Sequence, residues 1–294
     1  MLATDGGSPR FGPKSDAPEG QGPPGTLLVT GHRLRWWKEL LFTGAIYLFY
    51  ESTRNLTKSG ANVAYENALE IIRAQKWLRI NWEYEVQQFF IDDRWVLVSS
   101  NYFYGAGYVV STLFALIWLY RSRPDHYPFW RNTLAIGTLL GLVGFRFYPL
   151  MPPRLLDVHL GQVVYGFVDT LKEFPTLWSF DNSAMEKVSN QYAAMPSLHC
   201  GWAIWVMVST FGLVRTRVMK VVVVLLPVTT IFVVVVTANH YLLDAVGGLV
   251  IMTIGYGASM LVTRAGYVPF RGYRMKGQAG FTKGQPGFAT LPSA

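Results

Sequence analysis

Residues 221–262 read VVVVLLPVTTIFVVVVTANHYLLDAVGGLVIMTIGYGASMLV. Two runs within this stretch, Val221–Val236 and Val246–Val262, contain no charged residue. Such runs read as membrane helices, because crossing the roughly 30 Å of bilayer hydrocarbon takes about 20 predominantly apolar residues. His240 and Asp244 lie between the two runs. Ionisable groups at membrane depth are expensive to hold there and usually mark a functional site.

The rest of the chain agrees with this reading. Of 294 residues, 51% are hydrophobic and 15% charged, against about 25% charged in soluble domains. The class is an all-α integral membrane protein, with one catalytic domain over residues 36–263. Six membrane helices are expected, at 36–52, 95–120, 132–149, 197–214, 218–238 and 241–263. The tails, 1–35 and 264–294, are rich in Gly and Pro or in basic residues, lack periodicity, and read as disordered. No secretory signal is evident, because the first apolar stretch follows a polar tail and has no small-residue cleavage site behind it. The single cysteine, Cys200, has no internal disulfide partner.

Loop charges orient the six spans. The side that holds both tails and the loops 121–131 and 215–220 collects sixteen of the 26 Lys and Arg residues but only five of the 18 acids. That side is expected to be cytoplasmic, and the expected location is the plasma membrane. The net charge of +8 therefore orients the protein and meets anionic lipid heads; a nucleic-acid partner is excluded. Residues 62–90 place Ala64, Ala68, Ile71, Ile72, Trp77 and Leu78 at rough helical spacing among charged residues. They read as an outer amphipathic helix, either lying in the interface or packed over the outer loops.

Three polar signatures end apolar segments: Tyr148–Arg154 (YPLMPPR), Pro196–His199 (PSLH) and His240–Asp244 (HYLLD). The topology puts all three on the extracytoplasmic face. His240 and Asp244 are four apart and share a helix face. A carboxylate on one ring nitrogen sets the tautomer and raises the basicity of the other, which suits a histidine nucleophile that forms a phosphohistidine. His199 suits the proton donor to the leaving oxygen. Ser197 and the start of its helix suit phosphate oxygens, and Arg154 offers a bidentate fork. Arg146 reads either as a second phosphate ligand or as a snorkelling residue near a helix end. Taken singly, each also has a structural reading: a structural histidine at a helix start, a pair that bridges helices, or a headgroup anchor. Two other classes share these residues. One is a metalloenzyme using His199, His240 and a carboxylate from Asp244 or Asp157; the other is a non-enzymatic lipid transporter or scaffold.

Over roughly residues 100–263 these signatures resemble the type 2 phosphatidic acid phosphatase (PAP2) superfamily. Pro196–His199 resembles its Ser-Gly-His motif, with Leu198 in the glycine position, and His240–Asp244 resembles its His, three residues, Asp motif. The family's serine and arginine ahead of the nucleophile fall on Val233 and Val234, and Arg146 and Arg154 are eight apart instead of seven. The Met195–His199 string and the proline-rich first motif look more like the inositol-phosphorylceramide-synthase-like and sphingomyelin-synthase-like branch. The resemblance implies a six-helix membrane bundle and chemistry without metal or cofactor. It also implies His240 as nucleophile, Asp244 as its orienter and His199 as acid/base. The implied substrate is a phospholipid or prenyl phosphate, with an alcohol or lipid as acceptor, and transfer is favoured over hydrolysis.

Overall fold

The computed structural model describes residues 37–45, 48, 60–174, 176, 191–263, 265–268 and 272–275. Helix α1 covers 37–45, so the first expected span lies only partly inside the described residues. Two outer helices follow, α2 (Ala61–Leu78) and α3 (Glu83–Phe89). Next comes one continuous helical run: α4 (Arg94–Tyr102), a π-helical turn (Phe103–Gly107) and α5 (Tyr108–Ser122). Helix α6 (Tyr127–Phe147) leads to short outer helices α7 (Leu156–Leu160) and α8 (Thr170–Glu173). The chain closes with α9 (Leu198–Thr210), α10 (Arg217–Val236) and α11 (Leu242–Thr263).

Three stretches combine the length and apolarity of a bilayer crossing: Arg94–Ser122, Arg217–Val236 and Leu242–Val262. They correspond to the second, fifth and sixth expected spans and support membrane association. Helix α9 has 13 residues, which gives it a length of only about 20 Å. After α11 the described residues pair as an antiparallel hairpin, β1 (Ala265–Val268) with β2 (Gly272–Met275). Its register opposes Tyr267 to Tyr273, and aromatic and β-branched residues favour a strand even in a Gly-rich segment. Pairing of this kind leaves no periodic signal in so short a sequence.

Glycine decides how closely the long helices approach. A Cβ on Gly255 would lie 2.7 Å from the carbonyl oxygen of Thr133, and one on Gly248 would lie 2.9 Å from the Gly201 nitrogen. Helix α11 therefore meets α6 and α9 backbone to backbone, the packing that small residues permit between apolar helices. Around these contacts Phe129, Trp130, Leu142, Trp205 and Met252 form the main core. The Trp205 indole N–H donates to the Trp130 carbonyl at 2.9 Å.

The outer segment packs over the loops. Helix α2 buries Ala64, Ala68, Ile71 and Gln75, one face of the helix, against Leu150, Met151, Leu155 and Tyr241. Met151 N–H donates to the Ala64 carbonyl at 3.0 Å, and Asn67 Nδ2 donates to the Pro149 carbonyl at 2.7 Å. Trp77, read from the sequence as part of the apolar face, is 82% exposed.

Candidate active site

The end of α10 aims the nucleophile candidate. Ala238 adopts φ 50°, a left-handed conformation that costs a non-glycine residue about 1 kcal/mol. This turn closes the helix: Ala238 N–H donates to Val235 O, and Asn239 and His240 N–H both reach Val234 O, at 2.9, 3.0 and 3.2 Å. The chain thus turns sharply at His240 and enters α11 two residues later. Asp244 sits in the first turn of α11, where its Oδ2 accepts from Tyr241 N–H at 2.9 Å and faces His240 Nδ1 at 3.2 Å. The Ala194 carbonyl also faces Nδ1, at 2.8 Å. Two acceptors on Nδ1 assign the proton to that nitrogen and leave a lone pair on Nε2. His240 is 3% exposed and Asp244 is 0% exposed.

His240 Nε2 faces His199 Nδ1 at 3.3 Å. His199 is the second residue of α9, which Ser197 caps by accepting from Cys200 N–H at 3.3 Å. Ser197 N–H also donates to the Asp244 carbonyl at 2.9 Å, which fastens the two helix starts together. Ser197, expected as a phosphate ligand, is fully buried, and its hydroxyl acts as a helix cap. Two tyrosines without any motif complete this region. The ring centroids of Tyr104 and Tyr108 lie 4.3 and 4.1 Å from that of His199.

The two arginines behave differently. Arg154 is fixed beside the turn that carries His240: its main-chain N–H donates to Ala238 O, and Nε donates to Asn239 Oδ1 at 2.8 Å. Its Nη1 donates to Asp169 Oδ2 at 3.0 Å. Among the described residues Nη2 makes no hydrogen bond. Arg146 is exposed, with its guanidinium 5.9 Å from the Phe147 ring centroid. No hydrogen bond or ion pair joins it to the His199, His240 and Asp244 set among the described residues.

The first N–H groups of α11 lack partners within the helix. Glu83 Oε1 accepts from Leu242 N–H at 2.8 Å, and Gln75 Oε1 accepts from Leu243 N–H at 3.0 Å. Gln75 Nε2 in turn donates to Glu83 Oε1 at 2.7 Å. Helices α2 and α3 thus cap the start of α11 from more than 150 residues away in sequence. Burial pushes the Glu83 carboxyl above its ordinary range, against the lowering effect of these hydrogen bonds. Sequence reasoning missed Gln75, Glu83, Tyr104, Tyr108, Asp169 and Asn239. Only Asn239 carried a signal, its adjacency to His240.

Among the described residues no group of three or more His, Cys, Asp or Glu side chains is arranged to hold a metal ion. Asp157, one candidate ligand, accepts from the main-chain N–H groups of Val164, Tyr165 and Gly166. No curated protein and no solved structure matches the chain. A family model described as the PAP2 superfamily matches residues 69–258 and so covers Gln75, Glu83 and the whole histidine site. The chain therefore belongs to the PAP2 superfamily, whose members act as phosphatases or phosphotransferases on lipid phosphates in membranes.

Proposed function

We propose that the protein is a six-span membrane enzyme that moves a phosphoryl or phospho-headgroup from a lipid through a phosphohistidine on His240. The observation that carries this reading is the His240 ring, with Nδ1 held by Asp244 and Ala194 and Nε2 facing His199. His240 Nε2 attacks phosphorus and the bond from phosphorus to the leaving oxygen breaks. His199 gives its proton to that oxygen. In the second half His199 takes a proton from an incoming hydroxyl, whose oxygen attacks phosphorus and releases His240. A near-attack N···P approach plus a hydrogen bond to the leaving oxygen needs about 6 Å between the imidazoles. At 3.3 Å they bond each other, so the two rings part to admit the phosphate between them. Arg154 offers Nη2 to the phosphate, Ser197 supports the helix start beneath it, and exposed Arg146 meets the headgroup layer.

We read the substrate as a phospholipid or prenyl phosphate and the acceptor as an alcohol or lipid. The reaction is placed at the extracytoplasmic leaflet of the plasma membrane with both tails cytoplasmic. Transfer is favoured over hydrolysis, because a nucleophile that is 3% exposed shields its covalent intermediate from bulk water. The likeness of Met195–His199 to the inositol-phosphorylceramide-synthase-like branch points the same way. The test is His240→Gln with a panel of labelled lipid phosphates and acid-labile trapping of the label. Wild type is expected to turn over substrate and hold label, and the variant to do neither. Full turnover by the variant would end this assignment.

A further inference from the structure

We infer that Tyr104 and Tyr108 are positioning residues that hold His199 in its proton-donating, imidazolium form. This rests on the phosphohistidine reading of the site. The Tyr104 ring lies nearly parallel to His199, at 15° and 4.3 Å, and Tyr108 packs at 50° and 4.1 Å. The main chain of Tyr104 also hydrogen-bonds His199. Behind Tyr108 stands Trp202, at 5.5 Å and in the same helix as His199.

The backbone around these rings is unusual in a way that points to function. Tyr104 lies inside the π-helical turn Phe103–Gly107, and Tyr108 is the first residue after it. A π turn interrupts the regular i to i−4 ladder, is rare, and occurs frequently at functional sites. Gly107 suits this turn, because a Cβ there would lie 2.7 Å from the Phe103 ring.

The chemistry explains what the rings are for. His199 must reach the reaction carrying a proton that it can give away, yet among the described residues no carboxylate pairs with it. The Asp244 oxygen that faces the site is occupied by His240 and Tyr241 N–H. Among the described residues, the ionisable groups that face His199 are His240, from the turn before α11, and the two tyrosines, from the π turn and α5. His240 repels a charged His199 whenever it is itself protonated. The tyrosines present electron-rich ring faces, which attract a cation by its position over the ring. The aromatic pair therefore supplies the stabilisation that a second carboxylate would otherwise give, and it does so without competing for the phosphate.

The pH profile of kcat separates this role from simple packing. Loss of the His199 proton sets the alkaline limb, so weakening the imidazolium moves that limb to lower pH. Tyr104→Phe and Tyr108→Phe keep the ring face and are expected to keep the wild-type limb. Tyr104→Leu, Tyr104→Met and Tyr108→Leu lose it, and the limb is expected to fall by about 0.5 to 1 pH unit with KM for the lipid little changed. Met is included because its unbranched chain refills the space if Leu disrupts folding. A wild-type limb in folded Leu or Met variants overturns the inference, as does an equal shift in the Phe variants, which would assign the role to the hydroxyls. His240→Gln assayed alongside keeps the two readings apart. If it stays active, the phosphohistidine reading fails; if it is dead while the Leu and Met profiles do not move, only the aromatic role fails.

Discussion

Glu83→Ala tests the capping of α11 by α2 and α3. The change removes the acceptor of two hydrogen bonds, from Leu242 N–H at 2.8 Å and from Gln75 Nε2 at 2.7 Å. Glu83 is 3% exposed and Gln75 1%, so water does not readily replace the lost oxygen. A buried donor left without a partner costs about 1–3 kcal/mol, and two such donors set the expected loss at about 2–6 kcal/mol. Gln75→Ala orphans Leu243 N–H at the same helix start. The two substitutions are therefore expected to couple by about 1 kcal/mol in a double-mutant cycle. Glu83→Gln keeps an acceptor oxygen and should cost less than the alanine change. Thermal unfolding of purified protein in detergent micelles measures all four variants. Burial raises the Glu83 carboxyl above its ordinary value of about 4.5. Between that value and its raised one, the folded chain binds more protons at this site than the unfolded chain. The contribution of Glu83 to stability therefore falls as pH rises through that window. Glu83→Gln has no such proton and is expected to lose this part of the slope. Wild-type stability in Glu83→Ala, or an unchanged slope in Glu83→Gln, would refute the reasoning.

Two other outcomes follow from the site. Asp244→Asn keeps the size of the side chain but replaces the carboxylate that faces His240 Nδ1; kcat is expected to fall 10²–10⁴-fold, by analogy with the loss of the orienting carboxylate in a catalytic triad, while a loss under tenfold would argue against an orienting role. Gly248→Ala forces a methyl group onto the Ser197 carbonyl and to within 2.9 Å of the Gly201 nitrogen. Overpacking of this kind costs about 1–3 kcal/mol and should lower activity too, because the Ser197 to Asp244 bond lies at the same contact. Gly257→Ala, which meets nothing within 4 Å, serves as the control, and equal behaviour of the two would refute the close-packing account.

Some features depend only on short-range rules, and these could be read from the chain alone. Apolar run length marks Arg217–Val236 and Leu242–Val262 as membrane-spanning, because the bilayer thickness sets the helix length. The i, i+4 relation of His240 and Asp244 follows from helical geometry, and the structure places them 3.2 Å apart. Arg154 shows the limit of such reading. Its residue type fits phosphate, but its orientation comes from Asn239 and Asp169, and Asp169 carried no signal of its own. The amphipathic pattern of α2 marked one face for burial, yet the polar Gln75 on that face is buried because Leu243 N–H, far along the chain, needs an acceptor.

The sequence by itself determined the membrane class, the PAP2 resemblance, and the identity of the His199, His240 and Asp244 set. Only the tertiary structure decided that His199 meets His240 at 3.3 Å across 41 residues. It alone decided that Ala194 O meets His240 Nδ1, that two tyrosine rings pack against His199, and that Glu83 and Gln75 cap α11. The reason is physical. Spacing along a helix is fixed by backbone geometry within a few residues, whereas contacts between helices depend on how closely their backbones approach. Here glycines at Gly248 and Gly255 set that approach, and their effect becomes visible only once the helices have packed.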